Sequence, residues 1–158
     1  MRSLNGRQNA LLAAFLGSSI LALAAGCSGG GGGSDTPIPS PTPCTAIPAT
    51  LTALHSQVFQ PSCTFSSCHG HANPQNGFDS SSAALVLATG SNQTAQETFN
   101  GAAVVRIAPG NHAASYVWLK VTGATGIQGD KMPTTGQDIS TCAVTALEQW
   151  IDAGAPNN

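Results

Sequence analysis

Two cysteines and a histidine lie close together in the segment Cys63-Thr64-Phe65-Ser66-Ser67-Cys68-His69-Gly70. Two thiols can add to the two vinyl groups of a haem, and an imidazole directly after the second cysteine can bind the iron from one face. Four residues separate these cysteines, whereas the common attachment motif has two. The same thiols could form a disulfide instead, so covalent haem attachment and a small disulfide-bonded module are both open.

A lone methionine offers a second iron ligand. Met132 is the only methionine apart from Met1, and it lies in a Gly/Pro-rich stretch directly before a proline, which fixes the chain direction. A thioether suits the other face of a haem iron, so we expect Met132 opposite His69, with His112 as its rival; an ordinary packed loop residue is the alternative. Two filled iron positions argue against peroxidase-like chemistry, which would require Met132 not to bind.

The remaining candidate side chains have weaker cases. Arg106 is the only arginine outside the leader, and a guanidinium can pair bidentately with a haem propionate; a surface arginine is the alternative. We expect His55 to be a half-buried packing residue and His71 a solvated loop residue. The two cysteines of the motif could also join His69 and His71 in a zinc site, although two adjacent ligands make tetrahedral closure awkward.

Residues 1–26 have the features of a secretory signal peptide, with a positive start followed by an uncharged Leu/Ala-rich run. The run ends in Leu23-Ala24-Ala25-Gly26-Cys27, which resembles a bacterial lipobox, in which a cysteine after a small residue receives lipid. We therefore expect lipidation at Cys27, with ordinary cleavage as the alternative. An exported lipoprotein follows, held to the membrane by its lipid anchor only.

The next segment and the charge balance describe the rest of the chain. Residues 27–43 form a Gly/Ser/Pro-rich tether that cannot bury a core, and residues 44–158 form the folded domain. Ser28 after Cys27, in place of an acidic residue, favours the outer membrane. Outside the leader, three basic residues stand against seven acidic ones, a net charge of −4. The sequence has no basic patch, which argues against nucleic acid as a partner.

Five cysteines are distributed along the chain. With Cys27 assigned to lipid and the motif cysteines to haem, Cys44 and Cys142 remain near the two ends of the domain. An exported protein meets an oxidising compartment, where free thiols are uncommon, so we predict a Cys44–Cys142 disulfide. Without haem, Cys63 and Cys68 would form a second disulfide, and the number of cysteines does not separate these two alternatives.

The elements that would place these residues are short helices joined by Gly/Pro-rich loops. One helix precedes the two-cysteine segment, a second covers residues 81–88, a third follows a cap at Asn111, and the last begins at Ser140 or Thr141. The apolar positions with helical spacing in the first and last helices are Leu51, Leu54, Val58, Phe59, Val144, Leu147, Trp150 and Ile151. Residues 104–107 allow an extended segment, but no alternating pattern predicts a sheet.

Taken in order, several segments resemble the single-haem c-type cytochrome domains of bacterial exported lipoproteins. The resemblance covers roughly residues 50–158. The segments that carry it are Val58-Phe59, Cys63 to Gly70, Asn76-Gly77-Phe78-Asp79, Arg106-Ile107-Ala108-Pro109-Gly110, Ser115-Tyr116-Val117-Trp118-Leu119-Lys120, Lys131-Met132-Pro133 and Trp150-Ile151-Asp152-Ala153-Gly154-Ala155.

The resemblance implies a small all-α cytochrome c fold, with crossed first and last helices and a haem in a loop-lined crevice. It implies one covalent haem c with thioethers at Cys63 and Cys68, His69 as the proximal ligand and Met132 as the distal ligand. The implied function is electron transfer with redox partner proteins of the cell envelope rather than enzymatic catalysis. The alternative is a haem-free, disulfide-stabilised surface module that binds protein or glycan.

Overall fold

The computed structural model describes residues 44–70 and 73–158, and within them four helical stretches and one two-stranded antiparallel sheet are present. The first helix consists of three consecutive segments, α1 Leu51–Leu54, a π-helical segment His55–Phe59 and α2 Gln60–Cys63. The later helices are α3 Ala83–Gly90, α4 Tyr116–Thr122 and α5 Thr141–Asp152. Short 3-10 turns cover Gln75–Gly77 and His112–Ala114, and the strands are β1 Thr94–Phe99 and β2 Ala102–Val105.

Side-chain caps explain where the helices begin. The Ser140 hydroxyl accepts a hydrogen bond from the Ala143 amide at 3.2 Å, so the last helix, α5, begins with one of its otherwise unpaired amides satisfied. Thr50 caps the first helix in the same way. The predicted cap at Asn111 is also present, but it starts the 3-10 turn that precedes α4.

The core lies between the first helix and α5, and α3, α4 and the residues around Ile107 complete it. Trp150 is fully buried, and its Nε1 donates to the Pro156 carbonyl at 2.9 Å. Of the predicted apolar face of α5, Val144 is only half-buried. The fully or largely buried core residues are Leu51, Leu54, Val58, Phe59, Phe78, Val86, Ile107, Val121, Ala143, Ala146, Leu147, Trp150, Ile151 and Ala155.

The predicted all-α fold is wrong, because β1 and β2 form an antiparallel hairpin. Its turn is Asn100-Gly101, and both residues have positive φ, 51° and 75°. Asn-Gly is a strong signal for such a two-residue turn, since both positions need a left-handed backbone. The strands lack the alternation that would predict them, because β1 carries mostly polar residues and β2 mostly alanine and valine, and neither holds a fully buried residue.

The Cys44–Cys142 disulfide is confirmed, with the two Cα atoms 5.9 Å apart. It links the start of the described domain to the first turn of α5. Residues of α5 and of the first helix pack together in the core. At the other end of α5, the Asn158 carbonyl accepts a hydrogen bond from the Thr52 amide at 2.9 Å. Within the described ranges, no helix has both the length and the apolar character needed to cross a membrane.

Candidate functional site

One cavity of about 220 Å³ brings together the residues that the motif analysis selected. Its wall comes from the first helix, the loop after it, the hairpin, α4 and the loop before α5. Among the lining residues are all five of the predicted haem contacts within the domain, Cys63, Cys68, His69, Arg106 and Met132. Side chains far apart in sequence therefore meet at one apolar pocket with a few polar groups, the usual character of a cofactor site.

The four-residue gap between the motif cysteines closes as a compact turn. The Cys68 amide donates to the Phe65 carbonyl at 2.8 Å, and the His69 amide donates to the Cys63 carbonyl at 3.1 Å. Gly70 follows, and a Cβ at that position would overlap the carbonyl of Thr64. The wider spacing is therefore absorbed by local hydrogen bonds, and Cys68 and His69 face the same cavity as Cys63.

His69 is held in one tautomer by the backbone. Its Nδ1 lies 2.9 Å from the Phe78 carbonyl, and because a carbonyl only accepts, Nδ1 carries the proton and Nε2 keeps the lone pair. Burial lowers the pKa of His69, outweighing the carbonyls of Phe78 and Gln75, which act to raise it. A neutral imidazole oriented through its other nitrogen is the form that binds a metal.

The two motif cysteines are free thiols in the structure. Burial raises the pKa of the Cys63 thiol to about 12, and the nearby Cys68 adds to this shift. Cys63 is therefore protonated at neutral pH and acts as a small apolar group in the cavity wall. The second disulfide expected for a haem-free module is not formed.

Met132 reaches the cavity from the loop before α5. Its amide donates to the Lys120 carbonyl at 2.9 Å, which fixes the loop to the end of α4. Its side chain is half-buried and packs against the core. The adjacent Lys131 pairs with Asp138 at 2.7 Å across the same loop.

Arg106 follows β2 and lines the cavity while holding two other segments. One of its guanidinium nitrogens donates to the Thr89 carbonyl at 2.7 Å, and another donates to the Asn76 carbonyl. A guanidinium has five N–H donors, so these contacts leave donors for an anionic group. Arg106 is thus a structural contact as well as a cavity residue, and not simply a surface arginine.

The chain matches no protein-family model, no curated protein and no solved structure. Nothing in these comparisons identifies a c-type cytochrome. The resemblance to cytochrome domains therefore stays a prediction that rests on the motif and on the geometry of the cavity.

An ion pair in the cavity wall, between a buried lysine and a half-buried glutamate, was not anticipated from the sequence. Glu97 on β1 and Lys120 on α4 lie 3.1 Å apart, and Lys120 is only 6% exposed. The Lys120 ammonium also donates to the Gln128 carbonyl at 2.8 Å. The Asn100-Gly101 turn could have predicted a strand at Glu97, but no sequence signal marks Lys120, because lysines are rarely buried.

The other candidate residues are not part of the described cavity wall. His55 Nε2 lies 3.2 Å from the Ser80 carbonyl, in keeping with the packing role expected for it. His112, the rival of Met132, does not line the cavity; its Nδ1 lies 2.8 Å from Asp152 and its ring packs on Trp118. Cys27 and His71 lie outside the described residues.

A second group of side chains could hold a metal ion. His112, Glu148 and Asp152 place one ligand atom each within 4.8 Å of one another. In the part of the chain that the structure describes, no other three His, Cys, Asp or Glu side chains meet in this way. The cysteines and His69 of the predicted zinc site are therefore not arranged as a preformed tetrahedral set.

Proposed function

We propose that the domain binds one haem c covalently and transfers electrons between redox proteins of the cell envelope. The observation that carries this proposal is the shared cavity of Cys63, Cys68, His69 and Met132, in which His69 Nε2 keeps its lone pair. Two thiols, one imidazole and one thioether form the full donor set of a His/Met c-type haem. The donor atoms of these four residues therefore fit a haem c.

In this proposal, the two cysteines provide the covalent attachment. Each thiol would add across one haem vinyl group, its sulfur bonding to one vinyl carbon and its hydrogen going to the other. The compact turn from Phe65 to Cys68 brings both cysteines to the wall of one cavity. This placement supports attachment at the wider spacing, because the chain between the cysteines folds back on itself.

Neutral His69 and Met132 would hold the iron. The Phe78 carbonyl orients the imidazole, and the bond from the Met132 amide to the Lys120 carbonyl anchors the methionine loop. When bound, the haem supplies a one-electron ferric/ferrous couple, and methionine ligation raises its potential relative to two histidines.

The cellular setting belongs to the same proposal. A signal peptide over residues 1–26, lipid at Cys27 and a tether over residues 27–43 would place the domain at the outer membrane as an exported lipoprotein. Its partners would then be other redox proteins, met through small and transient contacts. Mass spectrometry of the N-terminal peptide from membranes tests this, and a Cys27→Ser variant should stay unlipidated.

Haem staining tests the attachment directly. The full chain is produced in a host with haem-attachment machinery and run on a denaturing gel, where covalent haem survives. We expect staining of the wild type, loss of staining in the Cys63→Ser/Cys68→Ser variant, and staining kept in Cys44→Ser/Cys142→Ser. A folded, colourless wild type with four of its cysteines in disulfides would refute the proposal and favour the haem-free surface module.

Absorption spectra test the distal ligand. Met132→Ala should abolish the weak methionine-to-iron band of the ferric protein and open the iron to added imidazole. Ile139→Ala is a suitable control, because Ile139 lines the same cavity without a thioether, and it should keep the band. An unchanged spectrum in Met132→Ala would show that another residue binds the iron.

A further inference from the structure

The Glu97–Lys120 pair has an unusual position for a protein so poor in charge. Only 8% of the residues are charged, yet one of the three basic residues of the domain is buried in the cavity wall. Lys120 is fixed from three sides, by Glu97 at 3.1 Å, by the Gln128 carbonyl at 2.8 Å and by the Tyr116 ring, whose centroid is 5.7 Å away. Both charges are therefore held in place.

Stability alone gives no reason to bury this pair. Removing two opposite charges from water costs about as much as their attraction returns, and neutral replacements of such pairs are often as stable or more stable. Lys131 and Asp138 also pair opposite charges, but their exposed side chains do not have to be removed from water. At a cavity wall, either charge alone would act on what the cavity holds, and its partner offsets that action.

The charges of the pair lie at the wall of the cavity that holds the proposed iron ligands. Glu97 and Lys120 line the same cavity as His69 and Met132. A carboxylate favours positive charge in the cavity and an ammonium disfavours it, so the two effects have opposite sign. Because Lys120 is only 6% exposed, water screens its charge less than it screens an exposed lysine.

We propose that Glu97 cancels the effect of the buried Lys120 charge on the reduction potential of the haem held in this cavity. This inference rests on the proposed function. Reduction adds one electron at the iron, so the Glu97 carboxylate opposes it and the Lys120 ammonium assists it. In the wild type the two effects offset one another, and the pair holds the potential between the values that either charge alone would give.

Potentiometric titration of the haem-loaded protein tests this with four proteins, the wild type, Glu97→Gln, Lys120→Gln and the double variant. We expect Glu97→Gln to raise the potential, Lys120→Gln to lower it and the double variant to return close to the wild type. Lys120→Arg keeps the charge and should also stay close to the wild type. Glu148→Gln makes the same chemical change on a residue outside the cavity lining and should shift the potential less than Glu97→Gln.

The outcomes separate the two proposals. A wild type without covalent haem refutes the proposed function and this inference with it. A wild type with haem whose single variants shift in the same direction, or do not shift, refutes the inference and leaves the function standing. A Glu148→Gln shift as large as that of Glu97→Gln also refutes it, because net charge would then explain the result.

Unfolding by denaturant distinguishes a purely structural pair. We expect the double variant to unfold at a denaturant concentration equal to or above that of the wild type. A large drop in that midpoint, together with unchanged potentials, would assign the pair to folding alone. If one single variant does not fold, the other still has its own predicted sign, and the opposite sign would overturn the inference.

Discussion

Two regions of the domain are built from different kinds of contact. The packed region, formed by the first helix and α5 with the Cys44–Cys142 disulfide, is held by apolar burial around Trp150 and Leu54. The cavity region, formed by residues 64–70, the β1–β2 hairpin and residues 131–139, is held mainly by hydrogen bonds and ion pairs. Its fixed points include the bonds from His69 to Phe78 and from Met132 to Lys120.

The difference separates stability from function. Apolar burial is the dominant favourable term in folding, so substitutions in the packed region should change the free energy of unfolding most. Polar contacts contribute less net stability but fix geometry, so the cavity region should show its largest effects in the proposed haem binding and in the spectra that report it. Substitutions in each region, compared by their loss of unfolding free energy, test this division.

Loss of the disulfide should have one of the two largest effects, comparable with truncation of the central tryptophan. The two cysteines are 98 residues apart, and closing a loop of about 100 residues stabilises by about 4.7 kcal/mol in a chain-entropy treatment. We expect Cys44→Ser/Cys142→Ser to lose about 2–5 kcal/mol of unfolding free energy, measured by denaturant titration under oxidising conditions. The wild type in reductant should show the same loss, and a loss below about 0.5 kcal/mol would contradict the assigned role.

Truncation of the central tryptophan should destabilise the domain to a similar degree. Trp150 is fully buried and its indole donates to the Pro156 carbonyl, so Trp150→Ala should cost about 3–5 kcal/mol. Phe65→Ala is the control from the cavity region, because Phe65 is 48% exposed, and it should change stability by no more than about 0.5 kcal/mol. Similar losses in both variants would remove the distinction between the regions.

The packed region is also the part of the fold that the sequence predicts best. Leu51, Leu54, Leu147 and Trp150 follow helical spacing and occupy the core as expected, and the Ser140 cap is in place. Periodicity reports burial on one face of a regular element, and this region is built from such faces.

The cavity region is predicted in its residues but not in its architecture. The motif selects Cys63, Cys68, His69 and Met132, which the structure brings to one cavity. The hairpin is missed because its strands have no alternating pattern, and only the turn at Asn100-Gly101 indicates it. Lys120 is missed because its burial depends on a partner, Glu97, that lies on another element.

The turn of the hairpin should give an intermediate effect. Gly101 has φ of +75° and open space where a Cβ would lie, so Gly101→Val adds backbone strain without a clash. We expect a loss of about 1–2 kcal/mol in unfolding free energy. Gly101→Asn is the matched control, because asparagine tolerates this conformation, and it should lose less. Equal losses for both substitutions would show that strain at φ is not the cause.

The smallest effect should come from a charge at the edge of the packed region. Asp152, at the end of α5, accepts hydrogen bonds from the backbone amide and the imidazole Nδ1 of His112, and these bonds hold the pKa of its carboxyl below the usual 3.8. A carboxyl whose pKa is lower in the folded than in the unfolded state contributes stability above the unfolded value. That contribution is lost as the pH falls through the folded value.

Stability measured against pH in the wild type and in Asp152→Asn should therefore converge in acid. At neutral pH the wild type should be slightly more stable, because only the carboxylate carries the charge that strengthens both bonds. As the pH falls below 3.8 the difference should shrink, since protonation removes that charge in the wild type. A constant difference between wild type and Asp152→Asn at all pH values would show that shape, and not charge, links α5 to His112.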